Sequence, residues 1–216
     1  MYPSLQWVDK PLIVLFTDIV RQLKKGKDVV TPGSGSTYVR WGRTSCPNNG
    51  TETVYTGYAA GSSYIDSGAA VNYLCLPTKP LWGEYDDSAN AAARIYGAEY
   101  QVFGSDSNRF FKKNVGDNDV PCAVCRTVRP SLLMIPGRNA CYGGWTVEYT
   151  GYLSAGHHSH KAASESICLD TDPEVIAGSQ TDHNGKLFYM TEAKCGSLPC
   201  PPYVEGRELT CVVCSQ

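Results

Sequence analysis

The sequence predicts a mainly β protein made of two tandem homologous disulfide-stapled β-rich lobes, preceded by a short amphipathic N-terminal helix. Three observations carry this expectation. One set of landmarks, including four half-cystines, occurs twice in the same order. Apolar and polar residues alternate between Gly-, Asn- and Asp-rich turns, as in half-buried strands. Near the start, the apolar residues instead step by three and four.

Residues 1–30 read as a helical assembly segment. Leu12, Leu15, Phe16, Ile19, Val20 and Leu23 share one helix face, with Asp18, Arg21, Gln22, Lys24 and Lys25 largely on the other. Asp9 with Pro11 is a start signal, and Gly26 after two lysines is a stop signal. A helix of about fifteen residues is marginal alone in water, so its apolar face needs a partner. The expected partner is a copy of this helix or another chain, through Leu12, Leu15, Phe16, Ile19 and Leu23; packing on its own domain is the alternative. Residues 31–36, Thr-Pro-Gly-Ser-Gly-Ser, have linker chemistry.

The first lobe is expected over 37–129 and the second over 130–216. Gly42-Arg43, Cys46, Tyr55-Thr56-Gly57-Tyr58, Cys75, Pro80 and Cys122-x-x-Cys125 return as Gly137-Arg138, Cys141, Tyr149-Thr150-Gly151-Tyr152, Cys168, Pro173 and Cys211-x-x-Cys214. The offset drifts from 95 to 89 residues, as small loop deletions would produce. In 145–150, Trp145, Val147 and Tyr149 alternate with Thr146, Glu148 and Thr150, which is strand periodicity. Residues 38–41, 53–58, 132–135, 186–190 and 208–213 also read as strands. A short helical turn is expected around Ser88 to Arg94, favoured by Ala91, Ala92 and Ala93. Arg126 to Pro130 would join the lobes.

Ten cysteines, an even number, fit disulfides in an oxidising space or metal binding in a reducing one. The spacing favours disulfides. Cys125 and Cys211 lie too far apart for an ordinary zinc ribbon. Cys214 stands two residues from the end of the sequence, so no helix can follow it to activate a redox thiol. In a strand, residues i and i+3 point to opposite faces about 10 Å apart, whereas a disulfide needs Cα atoms within about 7 Å. Each member of a Cys-x-x-Cys pair should therefore bond elsewhere within its own lobe. The expected pairs are Cys46–Cys125, Cys75–Cys122, Cys141–Cys214 and Cys168–Cys211, with Cys195–Cys200 closing a small loop. A crossed arrangement, first cysteine to the first of each Cys-x-x-Cys, is also open to the sequence.

Net charge is −2 and no large basic block occurs, so nucleic acid is not an expected partner. No apolar run approaches the length of a membrane span. The short apolar stretch 11–16 lacks the flanks of a signal peptide, so a secretion signal is expected to have been removed. Asn49-Gly50-Thr51 is a glycosylation sequon at Asn49, in keeping with secretion.

Several longer motifs resemble the C-terminal non-collagenous domain of spongin-type short-chain collagens. They are 38–43 (Tyr-Val-Arg-Trp-Gly-Arg), 73–77 (Tyr-Leu-Cys-Leu-Pro), 96–100 (Tyr-Gly-Ala-Glu-Tyr), 121–125 (Pro-Cys-Ala-Val-Cys), 133–136 (Leu-Met-Ile-Pro) and 195–203 (Cys-Gly-Ser-Leu-Pro-Cys-Pro-Pro-Tyr). The resemblance covers roughly Thr37 onward. More distantly, the duplicated unit with its closing Cys-x-Val-Cys is similar to the C-terminal domain of type IV collagen. That likeness implies two disulfide-bonded β-rich lobes, trimeric assembly and an extracellular matrix role. The sequence contains no Gly-X-Y run, and the amphipathic segment stands where a triple helix would be.

Other candidate sites are local. His157-His158-x-His160 is the one histidine cluster; in a strand, His158 and His160 would share a face suited to a transition metal, whereas an exposed polar turn needs no metal. Asp86, Asp87 and Asn90, or Asp117, Asn118 and Asp119, offer oxygens to calcium, but neither group follows an EF-hand pattern and turn chemistry explains both. Trp7, Trp41, Trp82 and Trp145 could stack on sugars or fill core and interface positions. No nucleophile motif or phosphate-binding loop is present, so neither an enzymatic activity nor a cofactor is expected. The expected function is that of a secreted matrix-type structural protein, a homo-oligomer (trimer or filament) that also meets matrix proteins or glycans. The alternative is a secreted lectin-like carbohydrate-binding module.

Overall fold

Among the described residues, ten strands and one short helix run from Ser36 onward. The computed structural model describes residues 34–88 and 92–216. The expected assembly helix and nearly all of the linker therefore lie outside the described residues, except that Ser36 already belongs to a strand. Gly35–Gln216 form one compact unit.

The strands are β1 (Ser36–Trp41), β2 (Thr51–Gly61), β3 (Leu74–Pro77), β4 (Tyr96–Tyr100), β5 (Pro121–Thr127), β6 (Leu132–Pro136), β7 (Thr146–Ala155), β8 (Ile167–Asp170), β9 (Lys186–Met190) and β10 (Thr210–Ser215). One pairing pattern appears twice. β2 pairs with β3, β4 and β5, and β1 with β5. Likewise β7 pairs with β8, β9 and β10, and β6 with β10. Two parallel contacts join these sets: Trp41 of β1 faces Leu169 of β8, and Ala98–Tyr100 of β4 run beside Lys186–Phe188 of β9. The ladder β7–β8–β1–β5–β2–β4–β9 thus returns to β7 and closes on itself.

The closed ladder wraps an aromatic core. Trp41, Tyr73, Tyr100, Phe111, Leu169 and Phe188 are buried together, with Tyr73 and Phe188 ring centres 4.5 Å apart. A second cluster holds Tyr38, Ala123, Tyr149, Leu153 and Val213. Helix α1 (Gly104–Phe111) was not foreseen, because Gly-Ser-Asp-Ser-Asn is poor helix-forming sequence. Tertiary contacts hold it: Phe111 is buried, and the Ser107 hydroxyl accepts from Val115 N and donates to Lys113 O. The helical turn expected around Ser88–Arg94 is not seen: Ser88 lies in a bend, residues 92–94 are irregular and residues 89–91 lie outside the described residues.

Gly57 and Gly151 permit the closest strand approach. β3 and β5 flank β2, so the Cys75–Cys122 bridge must cross it where no side chain stands. A Cβ at Gly57 would lie 2.0 Å from Leu76 O and 3.1 Å from Cys75 Sγ. At Gly151 the distances are 2.2 Å to Leu169 O and 2.8 Å to Cys168 Sγ. Gly57→Ala or Gly151→Ala should therefore force the strands apart and cost about 3 kcal/mol. The midpoint of thermal unfolding should fall by roughly 5–10 °C, read by circular dichroism. Gly97→Ala, with nothing within 4 Å of its Cβ, should leave it unchanged.

Candidate functional site

The sulfur framework positions everything else. Disulfides join Cys46 to Cys125, Cys75 to Cys122, Cys141 to Cys214, Cys168 to Cys211 and Cys195 to Cys200, with Cα separations of 5.7 to 6.0 Å. Cys122 and Cys125 enter different core clusters, as opposite faces of one strand require. Among the described residues no cysteine is free.

The bridges hold a surface whose two ends differ. β8 is covered on both sides, by β7 and β1, and the loop after it packs on residues before Pro121. Pro173 is buried beneath Gly42, with its Cβ 3.2 Å from where a Gly42 Cβ would stand. Glu174 N donates to Gly42 O at 2.6 Å, and the Glu174 carboxylate accepts from Thr44 N and Thr44 Oγ1 and pairs with Arg43 at 3.3 Å. Burial alone would raise the Glu174 carboxyl, but the Thr44 hydrogen bonds and the Arg43 and Arg40 charges hold it below its ordinary value. Farther along, Ile176 N donates to Asp119 O, and Asp119 N donates to Ser179 Oγ.

β3 has no such cover. Among the described strands it pairs with β2 alone, and β6 pairs with β10 alone. From Pro77 to Ser88 every residue is exposed. Leu81 is 98% exposed, Trp82 77% and Tyr85 73%, beside half-exposed Leu74 of β3. Gly137 and Arg138, at the end of β6, are exposed as well. An apolar arm and two strand edges that no described strand covers therefore coexist. Periodicity did not reveal the arm, because nothing in Pro80-Leu81-Trp82 distinguishes a core segment from a bare one.

A polar knot lies between β1, β2, β7 and β10. The side chain of Glu148 is fully buried. Its Oε1 accepts from Arg129 at 2.6 Å and from Ser215, and its Oε2 accepts from Tyr38 at 2.8 Å and Thr51 at 2.9 Å. Burial would raise this carboxyl, but the hydrogen bonds from Arg129, Ser215, Tyr38 and Thr51 outweigh it and push it down to about 2. The sequon belongs to this knot. Asn49 Nδ2 donates to Val147 O at 3.0 Å and to Glu148 Oε2 at 3.2 Å, so the atom that would carry a glycan is turned inward.

His157, His158 and His160 lie in a turn between β7 and β8, not in a strand. Burial, then the His157 and His158 charges, push the His160 imidazole below its ordinary value. Asp117 joins Glu99 and Asp182 in a cluster whose ligand atoms lie within 4.8 Å of one another, while Asn118 and Asp119 serve turn and strand contacts. Glu99 is buried, and its carboxylate already accepts from His183 N and Asn184 N. Leu12, Leu15, Phe16, Ile19 and Leu23 lie outside the described residues. No helix among the described residues is long and apolar enough to cross a membrane. A scan of the chain against models of known protein families finds no match.

Proposed function

We propose that the protein is a secreted, non-enzymatic, matrix-type structural component, built from a duplicated module, that associates head to tail with copies of itself. The single observation behind this reading is an asymmetry. Pro173 is buried on Gly42, while its repeat counterpart Pro80 and that of Gly42, Gly137, are both exposed. In a duplicated module, β8 corresponds to β3 and β1 to β6. Among the described strands the β1–β8 contact has no counterpart within the chain, and its counterpart lies between chains: β6 of one copy against β3 of the next. The Leu81–Trp82–Tyr85 arm would lie over Gly137 and Arg138 of the neighbour, as the Pro173–Glu174 loop lies over Gly42 and Arg43. Such a heterologous contact builds a ring if the rotation closes, giving a trimer, and a filament if it does not. Five disulfides suit secretion, and the resemblance to non-collagenous collagen domains suits a matrix setting.

Light scattering with size-exclusion chromatography tests the assembly. The protein should elute as a trimer or larger, and Leu81→Ser with Trp82→Ser should reduce it to a monomer while circular dichroism stays unchanged. A wild-type protein that remains monomeric at high concentration would overturn the reading. A second reading, a lectin-like module, draws on the same exposed Trp82 and Tyr85 rings, which offer stacking faces to sugars. Glycan-array binding by a monomeric wild type, abolished by Trp82→Ala, would favour it.

A further inference from the structure

We propose that His157, His158 and His160 form a binding site for a borderline-soft transition-metal ion of the zinc and copper class. The turn is closed by His160 N donating to His157 O at 3.0 Å, which draws the imidazoles together. Ring centres lie 4.2 Å apart for His157 and His158 and 5.4 Å apart for His157 and His160. Two imidazoles on one ion, with nitrogen–metal bonds of about 2.0–2.1 Å, place their ring centres about 5 Å apart.

The second observation is an unused ligand atom. His160 Nδ1 is shielded from solvent and has no hydrogen-bond partner, an unusual state for an imidazole nitrogen. An ion would satisfy it. His157 is oriented by Ser159, whose N donates to Nδ1 at 3.3 Å and whose Oγ lies 2.8 Å from Nδ1; a metal at Nε2 moves the ring proton to Nδ1, where the Oγ accepts it. Tyr64 packs at a tilt on His160 at 4.8 Å, and Tyr189 packs on His157 at 5.1 Å and His160 at 5.5 Å, forming an aromatic wall. His158 is exposed and completes the set by rotating its side chain inward. The cleft beside His157 and His158, lined also by Glu192 and Glu205, provides the entry path. Imidazole donors select zinc, copper or nickel over calcium and magnesium. The chain's fourth histidine, His183, lies elsewhere, with its backbone on Glu99.

Titration calorimetry with zinc chloride, backed by elemental analysis after dialysis, tests the site. One zinc per chain with micromolar affinity is expected. His158→Ala should weaken binding by about tenfold or more. His157→Ala with His158→Ala should abolish it, while His183→Ala and Asp117→Asn should bind as wild type. Circular dichroism checks that the variants fold, and His158→Ala, at an exposed position, should fold normally. Absence of stoichiometric zinc, or equal binding by the double variant, would overturn the proposal. Zinc is titrated into wild type and the Leu81→Ser, Trp82→Ser variant alike, so failure of the assembly reading leaves this result separate.

Discussion

Glu148→Gln should cost about 3–5 kcal/mol, because it removes one partner of a buried ion pair and leaves the other uncompensated. Arg129 would keep its charge beside Ser215 with no anion to receive it. The new amide group would also present hydrogens to Tyr38, Thr51 or Arg129, all of which are donors. Denaturant unfolding under non-reducing conditions measures the loss. The pH dependence gives an independent sign. The folded carboxyl sits at about 2, below its ordinary 4.5. A depressed acid stabilises the fold fully above the unfolded value, and that contribution is lost as pH falls through the folded value. Between pH 5 and pH 2, wild type should lose about 3 kcal/mol more than Glu148→Gln does. Parallel pH curves for the two proteins would show that Glu148 is not held as described. The same variant would weaken the hold on Asn49, whose amide would keep its bond to Val147 O alone.

The second large effect is expected at the Cys168–Cys211 bridge. Replacing both with alanine releases a loop spanning 43 residues and should cost about 4 kcal/mol in the chain-entropy account. Both residues are nearly inaccessible, at 2% and 0% exposure, so lost packing adds to this. The Cys195–Cys200 bridge is a contrasting case. It spans 5 residues near the surface, and its removal should cost about 2 kcal/mol. Mild reductant should open Cys195–Cys200 first and leave Cys75–Cys122 and Cys168–Cys211, the two bridges that cross a strand, closed, as alkylation and peptide mapping would show. Early alkylation of Cys168 or Cys211 would contradict the buried arrangement.

Much of the β architecture can be read in the residues themselves. The strand in Trp145–Thr150 is legible, and β7 occupies most of that stretch, but its expected faces are not kept: Val147 is exposed while Glu148 and Tyr149 are both buried, where the register to β10 shifts between Val213 and Cys214. The opposite faces of Cys122 and Cys125 follow from strand geometry, and the structure sends their bonds to Cys75 and Cys46. The repeat likewise marks Gly57 and Gly151 as related, and both lie under a crossing disulfide. These features are local, or are covalent links whose end points the repeat supplies.

Other features arise only when distant segments meet. Helix α1 stands on the burial of Phe111 and the Ser107 hydrogen bonds, which outweigh a sequence that disfavours helix. Asn49 and Thr51 look like a surface sequon until Glu148, almost a hundred residues away, takes up both side chains. Likewise Pro173 is buried and Pro80 bare because the first finds Gly42 within the same chain, whereas no described residue covers the second. Periodicity encodes which face of a segment avoids water, whereas burial depends on whether another surface reaches it. That is why strands and cysteine spacing are legible from residue order, while the buried face of β7, the β1–β8 and β4–β9 contacts and the β3 edge left uncovered by the described strands are not.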